Sequence, residues 1–119
     1  MSHDIRFAMK VADVAHDIYA VIGVPEHDSP TYNVRRIFVQ AMDWDYHQGE
    51  WYRMDKNLPK IERGVHELRF NASAYTHLEP ENGWGSTSTA LNTLQSILNW
   101  FQDDDQGRSI PLKCIYMCW

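Results

Sequence analysis

The sequence predicts an α+β fold, a two-layer sandwich in which three helices cover one face of a three-stranded, mostly antiparallel sheet. β-Branched and aromatic residues concentrate near both ends of the chain, whereas the apolar residues between them recur at helical spacing. A length of 119 residues is typical of one domain with one core. We therefore expect a single domain over residues 1–119, with the element order β-β-α-α-α-β.

Two strands are predicted near the N terminus and one near the C terminus. In "DIRFAMKV" the alternate residues from Ile5 to Val11 are apolar, as in a strand with one face on a core. "IYAVIGV" is apolar throughout, which favours a strand covered on both faces or paired centrally, and the short break before it predicts a hairpin. "IPLKCIYMCW" is predicted as the third strand. Because isolated hairpins are marginally stable, the three strands should form one sheet.

Three amphipathic helices are predicted between these strands. Each contains apolar residues at the spacing of one helix face. The predicted buried stripes are Val34, Ile37, Phe38, Ala41 and Met42; Leu58, Ile61, Val65 and Leu68; and Ala90 or Leu91, Leu94, Ile97, Leu98 and Phe101.

The helix starts follow from capping residues. The predicted N-caps are Thr31 or Asn33, then Asn57, then Ser86, Thr87 or Ser88, all of which carry side-chain acceptors. Pro59 is then in the first turn of the second helix, where proline is tolerated. Gly64 lowers helix propensity by about 1 kcal/mol relative to alanine, so we expect close packing at that position.

The charge and hydropathy patterns exclude several classes of function. The net charge is −5 and the basic residues are dispersed, which disfavours a nucleic-acid-binding surface. No stretch reaches the roughly 20 apolar residues of a membrane span, and "MSHDIRF" lacks the basic and apolar regions of a signal peptide. We therefore expect a cytoplasmic protein with no membrane partner.

The chain is rich in tryptophan and tyrosine, with five and six residues respectively. Trp44, Tyr46, Trp51 and Tyr52 lie outside the three helical stripes. They belong to a segment without a clear period, which is predicted as a connection that continues through Arg53. Trp and Tyr are enriched at binding interfaces because they combine a large apolar area with a polar atom. This aromatic-rich segment is a candidate partner-binding surface.

Catalytic and metal-binding patterns are weak. The six histidines are dispersed, without an HxxxH or HxH pair, and there is no G-x-S-x-G motif. If the fold brings residues from distant parts of the sequence together as a metal site, His77 and Glu79, which lie beside a glycine-rich loop, are the best candidate ligands. We predict no catalytic residue, metal or cofactor.

Two motifs open predicted helices. "TYNVRRIF" contains Tyr32, Asn33 and Val34, whereas "YTHLEPENGWGSTSTALNTLQSIL" contains the run from Pro80 to Gly85. Over residues 30–102 the chain resembles a family of small, uncharacterised phage and prophage proteins with a Tyr-x-Asn-Val-like motif, here without the intervening residue, and a Pro-x-Asn-Gly-Trp-Gly motif. The resemblance implies a phage or prophage origin and a host-cytoplasm setting, and no established activity.

If the two motif-bearing helices are parallel neighbours, their N-termini form one edge of the molecule. The candidate ligand- or partner-binding residues at this edge are Tyr32, Asn33, Tyr75, His77, Asn82, Trp84 and Ser86. Trp84 can instead close the core, with Ser86 acting only as a cap. The edge could also stack a nucleotide-like ligand whose phosphate binds the N-terminus of the third helix.

These observations favour a small, non-enzymatic accessory protein that binds a host protein through its aromatic-rich surface. The alternative is a protein that sequesters a nucleotide-like small molecule, and the third class is a small hydrolase or metal-dependent enzyme. A C-terminal strand at the edge of the sheet would also allow homodimerisation.

Overall fold

The computed structural model describes residues 5–13, 17–23, 34–80, 85–103 and 112–119. Within these residues the chain forms four strands and three α-helices. In chain order they are β1 (Arg6–Asp13), β2 (Asp17–Gly23), α1 (Arg35–Met42), β3 (Trp51–Arg53), α2 (Met54–Phe70), α3 (Thr87–Asp103) and β4 (Ile115–Cys118). The helices pack on the sheet around one hydrophobic core, which confirms the predicted α+β class.

The four described strands form one antiparallel sheet in the order β2-β1-β4-β3. β1 and β2 pair as the predicted hairpin. β2, which the sequence indicated as covered on both faces or paired centrally, lies at one edge of the described sheet and is therefore not paired centrally. β4 pairs with β1 and β3 and is central, with Met117 opposite both Phe7 and Tyr52. The C-terminal strand is therefore not the edge strand on which the possible homodimer was based.

β3 is an addition to the three predicted strands. Its three residues fall in and just after the aromatic-rich segment that the sequence indicated as a connection. A strand this short shows no measurable period, and β3 exists because β4 provides a pairing partner, with Trp51 opposite Cys118.

Two of the predicted helix starts differ from the structure. α1 begins at Arg35 with Val34 at the N-cap position and no side-chain cap; the predicted caps Thr31 and Asn33 lie outside the described residues. α2 begins at Met54, so Asn57 is inside the helix rather than at its cap, and Pro59 falls in the second turn. In the described part of the chain, no helix combines the length and apolar character needed to cross a membrane.

The core forms where the three helical stripes meet β1 and β4. All five predicted residues of α1 are fully buried, and so are Ala90, Leu94 and Ile97 of α3. α3 packs against the sheet through Phe101, whose ring lies 5.1 Å from that of Phe7. The helical periodicity therefore identified the buried face of these helices correctly, because burial on one side imposes that spacing.

Gly64 lies where α2 contacts α1 and α3. A Cβ atom at this position would lie 2.8 Å from both Leu94 Cδ1 and Met42 Cγ. The predicted close packing at Gly64 is confirmed, and the absent side chain allows the three helices to approach one another.

Candidate functional site

Some residues of the predicted aromatic-rich segment lie in the core, and others line a cavity at the surface. Tyr46 is fully buried, so it is not part of a binding surface. Trp44, Trp51 and Tyr52 are only partly buried and contribute to one cavity of about 330 Å³, here called the aromatic pocket. The residues that line it are Trp44, Trp51, Tyr52, Arg53, Lys56, Asn57, Lys60 and Tyr116.

The fold assembles this pocket from four segments of the chain. Trp44 follows the end of α1, the whole of β3 contributes three lining residues, and α2 contributes Lys56, Asn57 and Lys60. Tyr116 comes from β4, where it pairs with Arg53 of β3. Lys56 and Lys60 are four residues apart on a helix and therefore lie on the same face, with their Cβ atoms about 6 Å apart.

The aromatic side of the pocket is held in place by ring contacts and hydrogen bonds. The ring of Trp44 meets that of Tyr52 edge to face at a centroid distance of 4.9 Å. The Tyr52 hydroxyl accepts the His47 backbone N–H at 2.8 Å and donates to Glu50 at 3.2 Å. Burial raises the pKa of Tyr52 above 10.0, so this hydroxyl is protonated at neutral pH and remains able to donate.

Beneath the pocket, Trp44 contacts an aromatic cluster in the core. Its ring lies 6.0 Å from that of Trp119, which is 1 % exposed. Trp119 stacks on Tyr46 and also contacts Phe38. Because these rings are buried and packed on one another, they limit the orientations open to Trp44.

The charged residues of the pocket are basic. Arg53 donates two hydrogen bonds to Asp55, at 3.0 and 2.6 Å, and these bonds lower the pKa of the Asp55 carboxyl. Neither Lys56 nor Lys60 makes an ion pair with another described residue. No acidic residue is among the described residues that line the cavity. The pocket is thus locally positive on a chain whose net charge is −5.

Asn57 is a buried polar residue in the wall of the pocket. The residue is 1 % exposed, and its Nδ2 donates to the carbonyl oxygens of Tyr52 at 2.9 Å and Arg53 at 2.8 Å. These two bonds join the end of β3 to the start of α2. Oδ1 of Asn57 is buried and accepts no hydrogen bond within the described part of the chain.

The second predicted site, the edge formed by the two motifs, is described only in part. Tyr32, Asn33, Asn82 and Trp84 lie outside the described residues. The remaining three predicted residues are Tyr75, His77 and Ser86, and none of them lines the aromatic pocket.

The described residues of this edge make local structural contacts. Ser86 Oγ accepts the Thr89 backbone N–H at 3.1 Å, so the predicted helix cap is confirmed. The Tyr75 hydroxyl donates to Glu67 at 3.1 Å, and His77 is exposed in a short 3-10 helix.

The N-terminus of α3 already binds a carboxylate of the same chain. Glu79 Oε1 accepts the Thr87 backbone N–H at 2.9 Å and the Thr87 hydroxyl at 3.0 Å. Both bonds lower the pKa of the Glu79 carboxyl. A phosphate could bind this N–H group only by displacing Glu79, so the structure does not favour the predicted phosphate position.

The same interaction weakens the His77 and Glu79 metal hypothesis, because one Glu79 oxygen already accepts two hydrogen bonds. Among the residues that the structure describes, no three or more His, Cys, Asp or Glu side chains are grouped as metal ligands would be.

Sequence reasoning missed five of the residues that line the aromatic pocket. Lys56 and Lys60 carried a detectable signal, since their spacing places two positive charges on one helix face. Arg53 and Asn57 were assigned to a connection and a cap, and Tyr116 was treated only as a strand residue. Their proximity to Trp44 depends on the pairing of β3 with β4, which no local pattern reveals.

Comparison with known proteins gave no relative of the chain: it matches no protein-family model, and no curated protein or solved structure is significantly similar to it. The resemblance to phage and prophage proteins therefore stays a prediction.

Proposed function

We propose that this protein is a non-enzymatic binding module that occupies a host protein through the aromatic pocket. The observation that carries the proposal is the convergence of Trp44, Trp51, Tyr52 and Tyr116 on one cavity with basic residues beside it. In line with the phage or prophage resemblance, we place it among the accessory proteins that act in the host cytoplasm.

Two properties of the pocket support protein binding. Tryptophan, tyrosine and arginine are the residues most often found where a few side chains dominate the binding energy. In addition, the contacts of Trp44 and Tyr52 with each other and with the core hold these rings in place before any partner arrives. Rings that are already ordered lose less conformational entropy on binding.

Site-specific photocrosslinking tests the proposal in cells. We would replace Pro59, an exposed residue three positions after Lys56 on α2 that does not line the cavity, by the photoreactive residue p-benzoylphenylalanine. As a matched control, the same residue would be placed at Phe70, which is 69 % exposed and outside the pocket. Irradiation should yield a discrete protein adduct from position 59 and none of that mass from position 70. Adding Trp51→Ala should abolish the adduct while the thermal melting curve confirms folding.

An adduct of equal yield from both positions, or none from position 59, would contradict the proposal. The first result would indicate general surface contact, and the second would indicate that no protein occupies the pocket.

A nucleotide-like small molecule is the second candidate. The aromatic pocket supports it better than the described part of the predicted edge, because planar rings adjoin two lysines and the volume of about 330 Å³ lies within the usual range for small-molecule sites. A thermal-shift screen of mononucleotides and cyclic nucleotides tests it, since a ligand at 100 times its Kd adds about 2.7 kcal/mol of stability. A stabilising nucleotide that loses its effect in a Lys56→Glu/Lys60→Glu variant would favour this candidate.

A further inference from the structure

We propose that the aromatic pocket selects an acidic peptide segment of its partner, with carboxylates held by Lys56 and Lys60. This inference rests on the proposed protein-binding function and names the chemistry of the partner.

The lysines determine the charge of the occupant. Lys56 and Lys60 lie on one face of α2 beside the aromatic rings and make no ion pair with other described residues. The net charge of −5 opposes an acidic partner at long range, but charges interact weakly beyond the Debye length of about 8 Å at physiological salt. Two acidic residues lie beside the pocket, and each already accepts hydrogen bonds from a lining residue: Asp55 from Arg53, and Glu50 from the Tyr52 hydroxyl. Lys56 and Lys60 therefore remain available to a carboxylate of the partner.

The position of the pocket favours a peptide over a compact ligand. β3 lies at the edge of the described sheet, so an extended segment can approach along it without displacing a described strand. An apolar or aromatic side chain beside the acidic residues of such a segment could pack on Trp51 and Tyr52.

Selection from a randomised library tests the charge preference directly. Twelve-residue peptides displayed on phage particles would be selected against the full-length wild-type chain and resynthesised, and their Kd values measured by fluorescence anisotropy. We expect selected sequences enriched in Asp and Glu beside a large apolar residue. Lys56→Glu/Lys60→Glu should weaken their binding at least tenfold.

The matched control has the same change in net charge outside the pocket. Arg69→Glu/Lys113→Glu alters two exposed residues that do not line the cavity, and it should change Kd by less than twofold. Replacing two Glu residues of a selected peptide by Lys should restore binding to the Lys56→Glu/Lys60→Glu variant, which a simple loss of folding could not produce.

The outcomes separate the two proposals. Selection of neutral or basic peptides that bind in the pocket would overturn the acidic preference and leave protein binding intact. Failure to select any peptide would overturn the acidic preference. Binding of adenosine monophosphate that depends on Lys56 and Lys60, in the absence of any selected peptide, would overturn the proposed protein-binding function as well.

Discussion

The rings of Tyr46 and Trp119 stack at a centroid distance of 4.7 Å, with 25° between their planes. Both residues are buried, and the guanidinium carbon of Arg35 lies 4.9 Å from the centre of the Tyr46 ring. Trp119 also accepts, through its backbone carbonyl, the N–H of Gly49 at 3.2 Å. The last residue of the sequence thus anchors the segment that connects α1 to β3.

Removing Trp119 should therefore destabilise the whole domain. We expect Trp119→Ala to lower the free energy of unfolding by about 3–5 kcal/mol, because truncating a buried aromatic residue loses its burial energy and leaves a cavity. Urea denaturation measures the change. Phe70→Ala, at an exposed position, should stay within about 0.5 kcal/mol of the wild type. A loss below about 1 kcal/mol for Trp119→Ala would show that the stack is not part of the stable core.

Gly64 should resist substitution despite its poor helix propensity. Gly64→Ala gains up to about 1 kcal/mol of propensity, but its Cβ would overlap Leu94 and Met42 at 2.8 Å. Overpacking costs about 1–3 kcal/mol, so we expect a net loss of about 1 kcal/mol. The measurement is the urea midpoint at constant m-value. If the variant is more stable than the wild type, the core can move to accommodate a methyl group.

Protonation of Glu79 at acidic pH should lower the free energy of unfolding of the protein. Hydrogen bonds from Thr87 lower the pKa of the Glu79 carboxyl below 4.5 in the folded state. Its contribution is therefore complete above the pKa of the unfolded chain and is lost as the pH falls through the lower, folded value. Glu79→Gln should be less stable than the wild type at pH 7 and lose less stability between pH 7 and pH 3.

Urea titrations at several pH values measure this dependence. Asp43→Asn, which removes a carboxylate at an exposed residue in the left-handed conformation that asparagine tolerates, is the control and should retain the wild-type acid response. Parallel curves for Glu79→Gln and the wild type would contradict the assignment.

Tyr75 and Asn71 should lower the pKa of the Glu67 carboxyl. Both donate to Glu67 Oε2, and these bonds lower the pKa of the Glu67 carboxyl, with Asn71 having the larger effect. We expect Tyr75→Phe to raise that pKa toward its ordinary value of 4.5 and Asn71→Ala to raise it further. NMR titration of the side-chain carboxyl carbon measures both changes. His77→Ala, on an exposed neighbour, should leave the titration unchanged; equal titrations in all variants would contradict the network.

The sequence predicted most of the fold because its signals are local. The stripes from Val34 to Met42 and from Ala90 to Phe101 recur at the helical period, and one-sided burial requires that period. The period-two pattern of β1 and the Ser86 cap are equally local features. The start of α2 was not predicted, because Asn57 resembles a cap in sequence and serves as a buried donor inside the helix.

The sequence by itself determined the α+β class, the buried faces of the helices and an excess of aromatic residues outside them. Only the tertiary structure decided that Tyr46 and Trp119 belong to the core, that β4 is central, and that Trp44, Trp51 and Tyr116 meet Lys56 and Lys60 around one cavity. The physical reason is that periodicity indicates which side of an element is buried, whereas a pocket depends on pairings between segments far apart in the chain. A three-residue strand is also too short for its sequence to indicate which strand it pairs with.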